Sequence, residues 1–445
     1  MEDLLASFDA ITREAISCIV GHPLTNTQWQ QAKLPLSMGG LGLQAAEELA
    51  PIAYYTSYLC SHTLINDLLH PGTDNLDDAR LPAPLLDALS VKMRDEVTVE
   101  TLTGVTQKMA TFKFNQLQHQ LLLDDMTEHG EHRELARMRC LGNPRSGDWL
   151  TVVPSPSLGL HLRGQEFTIA LRYRLGVPVY GREAPCPACD RPSDILGDHA
   201  LGCDSQGERI ARYNLLRDAL HQTAASASLA PVKEGRFLLP GRDARPADLL
   251  IPRWEGGKDA CLDVTVVSPL QQAMVQGAAT TAGYALNKAF ERKVARAGEP
   301  CRQAGLAFIP LAADTLGGWH DVAGRQITKL ATAQARQIGE AEEVTVCRLR
   351  QRLSLLLMKG NSALLVGRVP EEEDPDGQLD LCLVQHIEAK LWTYLYHFFK
   401  PNTSTNPIWT YPNWTWTTPI WTTPIWTSGP KDRTPGLPGS NKNII

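Results

Sequence analysis

The chain has 445 residues, of which 43% are hydrophobic and 21% charged, a balance typical of a globular protein. The formal net charge of −6 excludes nucleic-acid binding through overall charge, so such a partner would need a local basic surface. No apolar run reaches the roughly 20 residues that cross a bilayer, and the acidic, amphipathic N-terminus is not a signal peptide. We therefore expect an intracellular protein with no membrane partner, whose ten cysteines are reduced.

The predicted elements run from a helical region to a small α/β core, so the expected fold class is α+β. Apolar residues at helical spacing dominate residues 1–140, with a break at the glycines of LPLSMGGLGLQ and a helix start or kink at Pro51. Residues 141–205 are predicted to form a linker of loops around one short helix, ending in a Cys/His stretch. Residues 206–330 combine helices with short strand-like runs, and residues 331–372 are predicted to return to helix.

The C-terminal segment, residues 373–445, differs in kind from the rest of the chain. The motif PIWT occurs three times within it, and the stretch NPIWTYPNWTWTTPIWTTPIWTSGP contains five of the ten tryptophans. Tandem repeats of Thr, Pro and Trp cannot build a packed core. We therefore predict a variable, disordered low-complexity tail.

A cluster of cysteines and one histidine follows the linker helix, with the spacing C-x2-C-x9-H-x3-C. Its members are Cys186, Cys189, His199 and Cys203. Three thiolates and an imidazole complete a tetrahedral set, which is the pattern of a structural zinc site. The alternatives are buried cysteines beside a helix-capping histidine, or a CxxC redox site that would leave His199 and Cys203 unexplained. The spacing favours a zinc knuckle.

Two aspartates lie in consecutive strand-like runs, Asp248 in RPADLLI and Asp263 in CLDVTVV. The glycines at 256–257 make the joint between these runs a predicted hairpin turn. With a turn centred on 255–256 or 256–257, Asp248 faces an odd-numbered residue near 263–265, and both aspartates point to one side. Such a pair could bind a divalent cation. The alternative is a hairpin whose solvent face happens to be acidic.

The helix predicted for YALNKAFERKVARAG carries two lysines with different expected directions. At about 100° per residue, Lys293 lies near Leu286 on the edge of the apolar face, whereas Lys288 points away. Lys293 can therefore extend from the packed face towards a site on the sheet, unless it is an ordinary border lysine. On the helix after the knuckle, Arg209 and Arg212 are neighbours that could contact phosphates.

The order of these motifs resembles the C-terminal part of non-LTR retrotransposon polyproteins, in the lineage where a CCHC knuckle precedes a restriction-enzyme-like endonuclease. The motifs that carry the resemblance are the knuckle, GERIARYN, RPADLLI, LDVTVV, ERKVARAGEPC and LAFIPLAADTLGG. Upstream, LPLSMGGLGLQAAEELAPIAYYTS is similar to the segment after the reverse transcriptase fingers and palm. The resemblance covers about residues 20–368, so residues 1–140 are expected to be thumb- or linker-like and residues 206–330 to be the restriction-endonuclease-like domain.

The resemblance implies a PD-(D/E)xK nuclease variant in which the lysine has moved to a following helix. Asp248 and Asp263 would then bind Mg²⁺, Lys293 would orient or activate the water, and Glu234 in PVKEGRF matches an upstream acid. The sequence departs from the family in two places. RPAD has an extra residue between proline and aspartate, and the gap from Asp263 to Lys293 is long.

The function implied by the resemblance is that of a metal-dependent DNA endonuclease fragment that nicks target DNA for reverse transcription. Its expected partners are DNA and element RNA, and its expected location is the nucleus. The aromatic-x-Asp-Asp motif of the reverse transcriptase palm is absent, since LLLDDM at 121–126 lies in a helical pattern. Two alternatives stay open: a zinc-knuckle nucleic-acid-binding remnant without catalysis, and a non-functional truncated retrotransposon product.

Overall fold

The computed structural model of the protein describes residues 2–69, 90, 105–203, 207–236, 238–239 and 246–368. These residues fall in one compact unit and form twelve α-helices and two small β-sheets, which confirms the predicted α+β class. No helix in this part of the chain is long and apolar enough to cross a membrane. The predicted tail at 373–445 lies outside the described residues, as do the last residues of the predicted helical segment.

Six α-helices build the N-terminal part of the described chain. They are α1 (Glu2–Val20), α2 (Asn26–Lys33), α3 (Ala46–Leu69), α4 (Gln107–Glu128), α5 (His132–Leu141) and α6 (Gly164–Leu175). A capping box starts α2, because the Thr25 hydroxyl accepts from the Gln28 N–H (3.2 Å) and the Gln28 side chain accepts from the Thr25 N–H (3.0 Å). Pro51 lies inside α3 and not at its start.

The glycine break after α2 is a tight loop held by a buried arginine. Gly40 packs so closely that a Cβ there would lie 1.9 Å from the carbonyl oxygen of Leu34. Arg174 of α6 donates from Nη2 to the carbonyl oxygens of Gly40 (3.0 Å) and Leu36 (3.2 Å). Burial lowers the pKa of Arg174 to about 9. The LPLSMGGLGL stretch therefore has a structural role, because it anchors α2 to α6.

The second part of the described chain contains six further helices and both sheets. The helices are α7 (Asp198–Gly202), α8 (Glu208–Ser226), α9 (Val275–Thr280), α10 (Tyr284–Gln303), α11 (Asp321–Ile338) and α12 (Glu342–Val366). The strands are β1 (Ala184–Pro185), β2 (Pro192–Ser193), β3 (Val232–Lys233), β4 (Leu249–Glu255), β5 (Lys258–Val267) and β6 (Ala307–Asp314). β1 and β2 form an antiparallel pair, and the larger sheet has the order β3-β4-β5-β6.

Within the larger sheet, β3, β4 and β5 are antiparallel neighbours, whereas β5 and β6 are parallel. The crossover from β5 to β6 contains α9 and α10. Parallel neighbours need such a crossover, and here it places a long helix over one face of the sheet.

Helices cover both faces of the larger sheet, because its strands are apolar on both sides. Alternate residues such as Leu249 and Leu262 join the main core with α8, α11 and α12. On the opposite face, Cys261 packs with Cys301, and Val267 packs with Leu286, so this face contacts α10. Asp263 alternates with Leu262 along β5 and therefore belongs to the face covered by α10.

Candidate functional site

A two-residue turn joins β4 to β5. Gly256 and Gly257 have φ values of +55° and +78°, which glycine adopts without steric cost, and Glu255 pairs with Lys258 across the turn. The hairpin therefore turns at one of the two positions that the sequence predicts.

A bulge in β4 then shifts the pairing. The register shifts between Glu255 and Ile251, so that Leu249 pairs with Leu262. Arg253 has a φ of +52° inside this bulge, and its N–H donates to Asp259 (2.9 Å). Between the turn and the pair Leu249–Leu262, β4 contains two more residues than β5. Because this number is even, each β4 side chain beyond the bulge points to the same side of the sheet as it would without the bulge.

Asp248 lies directly before β4 and makes two hydrogen bonds that bracket Asp263. Its N–H donates to the carbonyl oxygen of Leu262 (3.0 Å), and its Oδ2 accepts from the N–H of Val264 (2.6 Å). Both aspartates are buried, with 7% and 8% of their surface exposed. The structure thus brings the two carboxyl groups into one buried environment.

Lys293 of α10 reaches the same environment from the helix that covers this face of the sheet. Its Nζ lies 2.7 Å from Oδ2 of Asp263. Lys288 instead pairs with Glu291 (3.0 Å) on the exposed side of α10. The side chain of Lys293 is 23% exposed and that of Lys288 is 47% exposed. The helical periodicity therefore separated the two lysines correctly.

Burial dominates the electrostatics of this site. Burial, followed by the charge of Asp263, raises the pKa of Asp248 to about 7. Burial also raises the pKa of Asp263, although the ion pair with Lys293 opposes it. The charge of Lys293 lowers the pKa of Asp248 as well. The charge of Lys293 thus acts on both carboxyl groups, but burial outweighs it.

Glu234 contacts Asp248 through the backbone but turns its carboxylate elsewhere. Its N–H donates to the carbonyl oxygen of Asp248 (2.8 Å), while its carboxylate pairs with Arg217 of α8. Among the described residues, only the Cys/His cluster brings three or more metal-ligand side chains within 4.8 Å of one another. Glu234 therefore does not complete a three-carboxylate site with the two aspartates in this conformation.

The charge of Arg296 also acts on Asp263 and lowers its pKa, a contact that the sequence interpretation missed. Arg296 lies three residues after Lys293 on α10, so both side chains share one stripe of the helix. The i, i+3 spacing was a signal that could have identified this second cation.

The Cys/His cluster is compact. All four ligand atoms lie within 4.8 Å of one another, with Cys186 Sγ 3.9 Å from Cys203 Sγ and Cys189 Sγ 3.2 Å from His199 Nε2. Two thiolates on one tetrahedral zinc ion are separated by roughly 3.8 Å, as follows from Zn–S bonds of about 2.3 Å. Burial lowers the pKa of His199, which favours the neutral imidazole that metals bind. The cluster could hold a metal ion.

Local hydrogen bonds position the ligands of this cluster. The backbone folds back after Cys186, whose carbonyl oxygen accepts from the N–H groups of Cys189 (3.2 Å) and Asp190 (2.9 Å). The carboxylate of Asp194, which sequence interpretation overlooked, accepts from the N–H of His199 (2.8 Å) and fixes the start of α7. An Asp before a short helix is a capping signal that could have identified it.

Two further contacts attach the knuckle to the rest of the protein. Arg133 of α5 forms an ion pair with Asp198 (2.6 Å). Gly197 has a φ of +83°, and a Cβ there would lie 2.4 Å from Leu365 of α12. The knuckle is therefore packed against one helix that precedes it and one that follows it in the chain.

The two arginines predicted to meet phosphates are neighbours on α8, but one of them is buried. Arg212 is 3% exposed and donates to Asn361 of α12 (2.9 Å). Burial, followed by the charge of Arg209, lowers the pKa of Arg212 to about 10. A Cβ on Gly360 would lie 2.6 Å from Arg212, so α8 and α12 cross closely here. The position of Arg212 argues against a phosphate contact, whereas Arg209 is half-buried.

Comparisons with known proteins assign neither site. No protein-family model matches the chain, and no curated protein matches it. What the protein does must therefore be inferred from its two clusters of side chains.

Proposed function

We propose that the protein is a retroelement-derived, metal-dependent DNA endonuclease fragment that nicks target DNA for reverse transcription. One observation carries this proposal: Asp248, Asp263 and Lys293 meet in one buried environment, with Nζ of Lys293 2.7 Å from Asp263. Carboxylates that hold a hard cation and a lysine beside them are the parts that phosphodiester hydrolysis requires. The motif order, which resembles retrotransposon endonucleases, supports the same assignment.

The donor set fits Mg²⁺, because carboxylate oxygens are the ligands that this ion prefers. Asp248 and Asp263 would hold the ion, which when bound supplies Lewis-acid stabilisation of the phosphate charge. Burial raises the pKa values of both aspartates, and a bound divalent cation would favour their charged forms. Lys293 would orient the attacking water and donate a hydrogen bond to the negatively charged phosphate oxygens.

For the Cys/His cluster we propose Zn²⁺ as the ion, in a structural role. Three thiolates and one imidazole fill all four tetrahedral positions, which leaves none for substrate. The ion would stabilise the stretch from β1 to α7, whose elements are too short to form a core of their own. DNA and element RNA are the proposed partners, and the nucleus is the proposed location.

A second candidate is a zinc-knuckle nucleic-acid-binding remnant without catalysis. This candidate is favoured because two of the acidic residues already form ion pairs, Asp263 with Lys293 and Glu234 with Arg217. The aspartates would then be a buried ion-paired cluster with a structural role. The two candidates differ in whether added magnesium produces cleavage.

Nicking of supercoiled plasmid in the presence of Mg²⁺ tests the proposal. We expect wild-type protein to produce open-circle DNA and Asp263→Asn to lose at least about 100-fold of this activity. Glu291→Gln on the exposed side of α10 is the matched control and should keep full activity.

Nicking that survives in Asp263→Asn would reject the proposed site. Wild-type protein that binds DNA or RNA without nicking would support the second candidate. Protein that neither binds nor nicks would correspond to a non-functional truncated product.

A further inference from the structure

A cleft lies between α11, α12 and the loop that follows α5. Its volume is about 250 Å³, and its lining includes Arg145, Arg325, Arg350 and Trp319. The three arginines come from three separate elements of the fold. The cleft contains none of the residues assigned to the acidic site or to the Cys/His cluster.

Positive charge exceeds negative charge in this cleft. Its lining contains three arginines and two aspartates, Asp148 and Asp321. Arg350 donates to the hydroxyl of Thr328 (2.7 Å). Burial, followed by the charge of Arg145, lowers the pKa of Arg350, while the charge of Asp148 opposes this shift.

Arg145 and Arg325 make no direct side-chain contact with a carboxylate among the described residues, although the charge of Arg145 acts on Asp148. Neither forms an ion pair or a side-chain hydrogen bond within the part of the chain that the structure describes. Most other arginines of this region are engaged; Arg336 of α11, for example, pairs with Glu342 (3.0 Å). The guanidinium groups of Arg145 and Arg325 therefore both line the cleft without a direct ion-pair partner among the described residues.

The backbone of Arg145 is held in an unfavourable conformation. Its φ is +75°, in the left-handed region that is unfavourable for a non-glycine residue. The turn is closed by the N–H of Asp148, which donates to the carbonyl oxygen of Arg145 (3.1 Å). Such strain persists where the fold requires a side chain to point in a particular direction, and here it is directed to the lining of the cleft.

The N-terminus of α11 adds to the positive potential. The helix spans Asp321–Ile338, and Gly324 in its first turn lines the cleft with nothing within 4 Å of its Cβ position. The first turn of a helix of this length carries a partial positive charge that favours anions. The helix end and the three arginines together favour an anion, although Asp321 in the first turn offsets part of this charge.

We propose that this cleft binds a phosphate group, and that the group belongs to the backbone of a nucleic-acid strand. Guanidinium groups pair with phosphate oxygens in bidentate geometry, and several arginines on one anion are the usual arrangement. The phosphate chemistry follows from the cleft itself, whereas the nucleic-acid source rests on the proposed function.

The cleft is separate from the acidic site. It belongs to the layer of α11 and α12, on the sheet face opposite to α10 and Lys293. The layers meet at the start of α11, where the ring of His320 stacks on Phe290 of α10 with centroids 4.3 Å apart. Strand binding in the cleft can therefore be removed without altering Asp248, Asp263 or Lys293.

Binding of a fluorescent single-stranded DNA oligonucleotide, measured by anisotropy at several salt concentrations, tests the proposal on the full chain. We expect Arg325→Gln and Arg350→Gln each to weaken binding about tenfold and to reduce the salt slope by about 0.7. Arg145→Asn should act in the same way, since asparagine tolerates the left-handed conformation. Arg336→Gln, on the same helix and exposed, is the matched control.

Titration calorimetry with inorganic phosphate distinguishes the two sources of the anion. Loss of oligonucleotide binding in the cleft variants supports the nucleic-acid source. Loss of phosphate binding alone supports the phosphate site but assigns it to a free anion. The proposal is overturned when all three variants bind both probes as Arg336→Gln does.

Separate control variants test whether a loss of binding reflects a loss of folding or of catalysis. Arg325→Gln removes no hydrogen bond between described residues, so it keeps the test valid even when Arg350→Gln unfolds the protein. Asp263→Asn should retain oligonucleotide binding. A wild-type protein that binds through the cleft but never nicks DNA would contradict the proposed endonuclease and leave the phosphate site intact.

Discussion

The Cys/His cluster and the acidic site differ in how their side chains are brought together. All four ligands of the cluster lie within residues 186–203, and adjacent backbone and side-chain hydrogen bonds orient them. The acidic site draws on the start of β4, the middle of β5 and a helix in the crossover to β6. One site is local in sequence, and the other exists only once the sheet and α10 have packed.

This difference determines what stabilises each site. The ligands of a local cluster can be held by a bound ion with little help from the rest of the fold. The acidic site depends on strand register, because a shift of one residue in β4 would turn Asp248 to the other face. Damage to the metal cluster should therefore act on stability, and damage to the acidic site should act on chemistry.

Loss of the bound metal is the largest effect that we expect. Cys203→Ser should reduce zinc from one ion per chain to nearly none and lower the Tm by more than about 10 °C, because structural zinc contributes several kcal/mol to folding. Metal analysis and thermal unfolding measure both. Cys347→Ser, at an exposed free cysteine of α12, is the control. Full zinc content in Cys203→Ser would show that the cluster is not a metal site.

The next largest effect should come from the lysine of the acidic site. Lys293→Gln is expected to reduce Mg²⁺-dependent nicking by about 100-fold or more, with zinc content unchanged, because it removes the cation beside Asp263. Lys288→Gln changes the same residue type on the exposed side of α10 and should leave nicking intact. Equal activity of the two variants would remove Lys293 from the proposed mechanism.

Alanine substitutions at two glycines allow the packing of the two regions to be compared directly. Both have positive φ, but a Cβ on Gly197 would meet Leu365 at 2.4 Å, whereas a Cβ on Gly257 would meet nothing within 4 Å. We expect Gly197→Ala to lower the free energy of unfolding by about 3 kcal/mol and Gly257→Ala by about 1 kcal/mol. Urea denaturation measures the difference. A larger loss for Gly257→Ala would contradict the tight packing of the knuckle on α12.

The last expected effect concerns pH. Because the pKa of Asp248 is raised to about 7, the folded protein holds a proton that the unfolded chain releases. Without added magnesium, the free energy of unfolding should therefore fall as pH rises from about 4 to about 7, by up to about 1.4 kcal/mol per pH unit.

The variant Asp248→Asn should lack this part of the slope in denaturation curves taken across the same pH range. Asp124→Asn, at an exposed position of α4, should keep it. Identical slopes for wild-type protein and Asp248→Asn would show that the carboxyl group is already ionised in the folded state.

The sequence predicted the elements that depend on short-range pattern. The α+β class, the turn at Gly256–Gly257 and the opposite directions of Lys288 and Lys293 all follow from strand and helix periodicity. The knuckle ligands follow from spacing, and the structure brings them together.

Features that depend on packing between distant elements could not be predicted in the same way. Arg212 is buried because α12 crosses α8 at Gly360, and no pattern within α8 reveals that contact. Glu234 turns to Arg217 for a similar reason. The arginine cleft combines a loop with two helices. The positive φ at Arg145 occurs at a residue that is neither glycine nor asparagine, so the sequence does not indicate it.

The bulge in β4 limits the insertions and deletions that would keep Asp248 on its side of the sheet. Removing its two additional residues would leave a regular ladder in which Ile251 still pairs with Ala260, so Asp248 would stay on the side of α10 and beside Asp263. Removing one residue would invert every side chain from the start of β4 to the deletion. Insertions and deletions in this bulge can therefore preserve the orientation of Asp248 only in even numbers.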